Sequence, residues 1–199
     1  MLNKIMRFGS INLIMLFYWV LRTKLLYGFD VRIIRSSPFV IGKRNIRWGR
    51  GFTAGRNLRI ECFSNSDEII LQIGKNVKLG DGCHLAVVES VYIDDNVLIG
   101  SNVLVTDHNH GAYNGDDQSP PTIPPDQRPL HSSSVVIGKN VWIGDGVVIL
   151  PGAKIEQGVV VGANSIVTGN LSKNSIYAGA PAKCIKAYNI DNNKWEKIR

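Results

Sequence analysis

The 199 residues, 44% of them hydrophobic and 20% charged, suffice for one domain with a real core. Three scattered cysteines, Cys62, Cys83 and Cys184, share no CxxC spacing, which argues against a disulfide framework or a cysteine zinc site and suits a reducing cytoplasm. The formal net charge of +7 belongs to one end: residues 1–60 carry twelve Lys or Arg against Asp30 alone, and residues 61–199 carry eleven against fifteen acids. A basic end of this kind points to an anionic surface, either phosphates or lipid headgroups.

In chain order, Lys4 and Arg7 precede an apolar run from Ile11 to Leu21 that Arg22 and Lys24 interrupt. The run is too short to span a bilayer, which takes roughly 20 apolar residues. Basic residues follow it instead of a small-residue cleavage site, against a signal peptide. Residues 1–28 are expected to form a helix ending near Gly28, within an N-terminal segment of residues 1–35. Two compatible readings stand: a helix in the membrane interface with its basic residues at the headgroups, or a helix that packs on the following domain and caps its core. The first puts the protein peripherally at the inner face of the cytoplasmic membrane and the second leaves it in the cytoplasm. No nucleic-acid partner is expected.

A period of six organises residues 36–172. It is clearest from Ile137 to Ser172, read as IGKNVW, IGDGVV, ILPGAK, IEQGVV, VGANSI and VTGNLS, with an aliphatic opener at 137, 143, 149, 155, 161 and 167. This is neither the 3.6 of a helix nor the alternation of a single long strand. It predicts a solenoid in which each hexapeptide is a short strand plus a corner, three make a triangular coil, and the openers stack as a column of Ile and Val. Gly at the second position and Gly or Asn at the fourth suit tight or left-handed corners. Upstream the register is imperfect, with openers at Ile41, Trp48, Ala54, Ile60, Ile73, Leu79, Leu85, Ile93 and Ile99. The count predicts about six coils, some 25 to 30 Å tall at roughly 4.8 Å per coil.

The pattern breaks at Asp107. Residues 107–133 hold five of the eight prolines and three of the four histidines, with no repeat, and predict a stiff, protruding loop that leans over a neighbouring surface. Residues 173–199 are expected to fold across the last coil as a cap.

Three constellations could carry chemistry. At the junction of repeat and loop, Asp107, His108, Asn109 and His110 put an imidazole where general-base work is possible. If the extended form persists, His108 and His110 share one side and Asp107 faces the other, so that another coil or a backbone carbonyl must orient His108. Trp142 offers a flat wall at a corner. The segment AGAPAK, Ala178 to Lys183, with Lys186 three residues on, is the third; by themselves two lysines near a terminus read as a solvated face. His84, at a coil's corner, is a further candidate for the vicinity of the site. No metal site is expected.

Taken together, the repeat and the segments DHNHG, PTIPPDQRPL, VWIGDGVVILPGA and AGAPAK resemble the hexapeptide-repeat acyltransferases, and among them the bacterial acetyltransferases of lipopolysaccharide O-antigen synthesis. The resemblance implies a mainly β fold, a left-handed parallel β-helix, against the usual right-handed crossover. It implies a homotrimer with sites between subunits, a saccharide acceptor and acetyl-CoA as cosubstrate. By position in the family's motifs, His108 is the general base and Trp142 lines the active site, and Asp107, Asn109, His110 and His84 are further candidates for the vicinity of the acceptor. Trp142, Gly144, Gly162, Ala163, Thr168, Lys183 and Lys186 are the residues toward coenzyme A. One departure stands out: the Asn-rich segment by which simple galactoside and maltose acetyltransferases hold the acceptor is replaced by LAVVES, residues 85–90. No Ser or Cys sits beside a histidine in a triad, so direct transfer without an acyl-enzyme is expected.

The resemblance leaves alternatives. One is N-acetylation of a nucleotide-linked amino sugar, and another is a non-catalytic scaffold of a polysaccharide-synthesis complex. Zinc carbonic anhydrases that share the solenoid need two histidine ligands five residues apart, which His108-x-His110 does not match.

Overall fold

The computed structural model describes residues 10–198. Among the described residues, an α-helix, α1 (Ser10–Tyr27), is followed by short strands that visit three sheets in a fixed cycle. The first sheet takes strands such as Lys78–Leu79, Leu98–Ile99 and Trp142–Ile143. The second takes Arg59–Cys62, His84–Val87 and Leu104–Thr106, and the third takes Leu71–Ile73, Val91–Ile93 and Val135–Ile137. Within each sheet these strands pair in parallel with the strand one cycle earlier, as in Leu98 with Lys78 and Leu98 with Trp142. The second and third sheets each hold six strands, the number that about six turns of the repeat would supply.

The reason lies in the openers. Ile137, Ile143, Ile149, Ile155, Val161 and Val167 are all buried to 1% exposure or less and join one continuous apolar cluster with Val141, Val147, Ala153 and Val159. Burying each such side chain contributes roughly 1.5–3 kcal/mol. The one polar member of the inner column, Ser165, is fully buried and satisfied: its hydroxyl donates to the carbonyl of Gly162 (2.7 Å) and accepts the N–H of Gly179 (3.0 Å).

The two glycine positions of the repeat do different work. The fourth position is left-handed, φ 58° at Asn140 and 68° at Gly146, a conformation that Gly and Asn tolerate best. The second is a matter of space: a Cβ on Gly144 would lie 2.6 Å from the backbone nitrogen of Ala163 in the next coil.

One opener is corrected. Ile41 is 40% exposed, whereas Val40 pairs with Ile60 and packs against the core. Alternation along a strand means that a shift of one residue exchanges inside for outside.

Helix α1 ends at Gly28, φ 92°, and its C-terminal half seats on the first coil. Thr23 is fully buried, donates to the carbonyl of Trp19 (2.6 Å) and accepts the N–H of Ile34 (2.9 Å). Tyr27 packs on Trp48, ring centroids 5.3 Å apart. The opposite face is apolar and open, with Ile11, Ile14, Tyr18, Leu21 and Leu25 each at least half exposed. No helix among the described residues is long and apolar enough to cross a membrane. Lys4 and Arg7 lie outside the described residues.

Residues His108–His110 and Leu130–Ser132 form an antiparallel ribbon, so the loop has secondary structure of its own. Its tip is held by Arg128, which donates to Tyr113 Oη (2.8 Å) and to the carbonyls of Ile123 (2.8 Å) and Pro121 (3.3 Å). In the C-terminal segment, Lys183–Asn189 and Lys194–Lys197 extend the first sheet as antiparallel strands. The same segment meets the end of the core through Tyr177, 9% exposed, with Ala182 and Cys184 packed against the cluster.

Candidate active site

The second sheet delivers His108. Strand Leu104–Thr106 turns Val105 into the core, fully buried, and the chain then bends at Asp107, which breaks the alternation expected there. Asp107 is fully buried. Its carboxylate accepts the backbone N–H groups of Val88 (2.9 Å), Glu89 (2.8 Å) and Ser90 (2.8 Å), three successive amides at the corner of the preceding coil. Such a row of amides is an anion nest.

Asp107 Oδ1 is also 3.0 Å from Nδ1 of His108. Asp107 is therefore the group that orients His108, contrary to the extended-strand expectation, because the nest draws its carboxylate toward the preceding coil and the bend lets both side chains meet. A carboxylate can only accept, so Nδ1 carries the proton and Nε2 is left with a free lone pair. The imidazole is 12% exposed and meets the edge of Phe63, ring centroids 6.3 Å apart.

Asn109 and His110 follow on the ribbon, where both are exposed. His84 opens strand His84–Val87 of the second sheet, which pairs with Leu104–Thr106, the strand that leads to His108, and its Nε2 is 2.8 Å from Glu61. Glu61, which the sequence reading missed, also accepts two bonds from Arg59, 2.6 and 2.9 Å. The Arg59 hydrogen bond, and after it the one from His84, holds the Glu61 carboxyl below its ordinary range despite the opposing cost of burial. Alternation within Arg59-Ile60-Glu61 was a readable signal for an outward carboxylate; its alignment with His84, one coil on, was not.

The predicted coenzyme A residues lie elsewhere in the chain. Trp142, 54% exposed, is on the first sheet, in register with Leu98 and Val160. Gly144, Gly162 and Ala163 occupy the corners that leave that sheet, and Lys183 and Lys186, on the strand next to its last, pair with Ala178 and Ile176. Thr168 stands apart from them, exposed at the corner after strand Ile166–Val167 of the second sheet, two coils beyond Asp107. A single chain thus carries two walls, one where the second sheet ends at Thr168 and leads into His108, the other on the first sheet with Trp142 and the lysines.

Burial pushes the thiol of Cys62 up to about 12 and raises that of Cys83 as well, so neither is a thiolate nucleophile near neutral pH. Among the described residues, no three His, Cys, Asp or Glu side chains stand together as a metal cage.

Two family models match the chain: "Bacterial transferase hexapeptide (six repeats)" over residues 134–169 and "Hexapeptide repeat of succinyl-transferase" over residues 70–107. The chain is 44% identical to "Putative lipopolysaccharide biosynthesis O-acetyl transferase WbbJ" of Escherichia coli (strain K12), with 96% of each chain covered. It is 31% identical to "dTDP-4-amino-4,6-dideoxy-D-glucose acyltransferase" of Escherichia coli, covering 67% of this chain and 80% of that one. The structure also resembles that of a galactoside acetyltransferase in complex with coenzyme A, with TM-score 0.56, 26% identity, and 92% of this chain and 90% of that one covered.

Proposed function

Because the chain belongs to the hexapeptide-repeat acetyltransferases, we propose that it transfers an acetyl group from acetyl-CoA to a sugar hydroxyl in bacterial surface-polysaccharide synthesis. The observation that carries the reading is the buried Asp107 that fixes His108 in the tautomer with Nε2 free. Nε2 takes the proton of the acceptor hydroxyl as its oxygen bonds to the thioester carbonyl carbon. The tetrahedral intermediate collapses, the carbon–sulfur bond breaks, and the departing sulfur of coenzyme A takes the proton back from the imidazolium. Transfer is direct, in keeping with the raised thiols of Cys62 and Cys83. The winding is left-handed, as in the family.

The acetyl donor lies between subunits of a homotrimer. Each chain presents His108 and Thr168 on one wall and Trp142, Gly144, Gly162, Ala163, Lys183 and Lys186 on another, and only a neighbouring copy brings two such walls face to face. The relation to the dTDP-amino-sugar acyltransferase favours a second reading, in which the acceptor atom is an amine of a nucleotide-linked sugar and His108 serves it in the same way. Incubating the purified protein with acetyl-CoA and a mixture of hydroxy and amino sugars, followed by mass spectrometry, separates the readings. O-acetylated product is expected; N-acetylated product alone selects the second, and acetyl-CoA left unbound and unconsumed selects a scaffold.

The open apolar face of α1 adjoins the basic end of the chain, and it rests in the interface of an anionic membrane. The full chain is expected to pellet with phosphatidylglycerol vesicles, whereas protein lacking residues 1–28 stays in the supernatant. Wild-type protein that remains in the supernatant would end this reading.

A further inference from the structure

One face beside His108 takes no part in the chemistry above. Strand Arg59–Cys62 sends Ile60 and Cys62 into the core, 0% and 2% exposed, so Arg59, Glu61 and, one residue past the strand, Phe63 share the opposite face. Phe63 stays in the ladder through its N–H to the carbonyl of Val87, 2.8 Å. Its ring is half exposed and abuts the imidazole of His108. In register, Glu61 lies beside Ala86 and Ala86 beside Thr106, so only the small Ala86 stands between Glu61 and the strand that leads to His108.

We propose that this face is the acceptor subsite and that its ligand is a neutral pyranose, its ring on Phe63 and a pair of adjacent hydroxyls held by Arg59, Glu61 and His84. The inference rests on the reading of His108 as the base for a sugar hydroxyl. Two features decide for a neutral sugar over the phosphate of a nucleotide or lipid carrier. Arg59 and Glu61 cancel in charge, so the cluster has no net attraction for an anion. The groups also keep mixed hydrogen-bonding capacity: two guanidinium nitrogens are engaged by Glu61 and the third is open, while Glu61 Oε1 accepts a single bond from Arg59. A hydroxyl donates and accepts at once, and a diol matches such a fork where a phosphate does not.

The cluster is also held ready. The guanidinium of Arg59 lies over the ring of Phe39, 5.4 Å to its centroid, and the Glu61 side chain is 9% exposed. Less conformational freedom is then lost on binding. Stability alone is a weak reason for the pair, since the Arg59 side chain is 54% exposed and pairs of that exposure contribute little.

The test uses full-length wild type, Phe63→Leu, Glu61→Gln and His108→Ala, with methyl α-D-glucopyranoside, methyl β-D-galactopyranoside and methyl α-L-rhamnopyranoside as probes in saturation-transfer NMR. Wild type and His108→Ala are expected to bind at least one glycoside through its ring protons. Phe63→Leu and Glu61→Gln should weaken that binding by about tenfold or more while coenzyme A binding is unchanged. Phe63 is at the surface, so its variant decides the matter even if Glu61→Gln folds poorly. Equal binding by all four proteins overturns the subsite and leaves the transferase reading standing. No binding of any glycoside by wild type overturns it too, and the transferase reading is then judged separately by acetyl transfer in the mass-spectrometric assay.

Discussion

His108→Ala is expected to lose roughly 10² to 10⁴ in kcat, the usual worth of a general base, with KM for acetyl-CoA changed only a few-fold. Nε2 is the ring nitrogen left free by the Asp107 contact, and removing the imidazole leaves the carboxylate with its amide partners, so the fold should survive. Steady-state kinetics on protein of unchanged melting temperature checks this, and wild-type kcat in the variant would remove His108 from the mechanism. The same variant tests the shared site. Trp142→Ala should weaken acetyl-CoA binding without unfolding, because the ring is 54% exposed. Co-expressed with His108→Ala, it should regain activity up to about one quarter of the wild-type level, since a quarter of sites in random mixed trimers combine an intact His108 with an intact Trp142 from the neighbour. No recovery above the separate variants would place the site within one chain.

Asp107 is a positioning residue, and its substitution should cost both rate and stability. Asp107→Ala strips the acceptor from the amides of Val88, Glu89 and Ser90 in a fully buried place. Each orphaned N–H costs about 1–3 kcal/mol, so a loss of roughly 3–5 kcal/mol is expected, or about 10 °C in Tm for a chain of this size. Asp107→Asn keeps the shape but turns an amide NH₂ toward donors, and it frees the imidazole to exchange tautomers. It should lower kcat by about 10- to 100-fold, as loss of an orienting partner typically does, with KM near the wild-type value. A merely structural role predicts lower Tm with kcat per folded molecule unchanged, and that outcome would remove Asp107 from the positioning of His108.

Much of the fold was legible because a hexapeptide repeat writes its inside and outside locally. The openers from Ile137 to Val167 are the buried column, and the fourth-position Asn140, Gly146, Gly152, Gly158 and Asn164 are the residues with positive φ. Legibility fell where the register slipped, as at Ile41, where one residue decides which face a side chain takes. The loop's ribbon was hidden because its partners, His108–His110 and Leu130–Ser132, are separated by a proline-rich stretch that carries no period. His108 stood out by its place at the end of a coil, but the role of Asp107 did not, since alternation along an unbroken strand argues against their contact.

By itself, the sequence determined the column of aliphatic side chains, the left-handed corners and the family, all of which are properties of residues one to six positions apart. Only the tertiary structure decided what meets across coils: Asp107 with the amides of residues 88–90, Glu61 with His84, and the separation of Trp142 from His108 onto different sheets. The physical reason is that parallel stacking aligns residues about a coil apart in the chain, and each insertion at a corner changes that offset without disturbing the local pattern. From residue 84 to its partner at 59 the offset is 25, whereas from Leu98 to Lys78 it is 20. The buried column tolerates either offset, but the side chains of the candidate site do not.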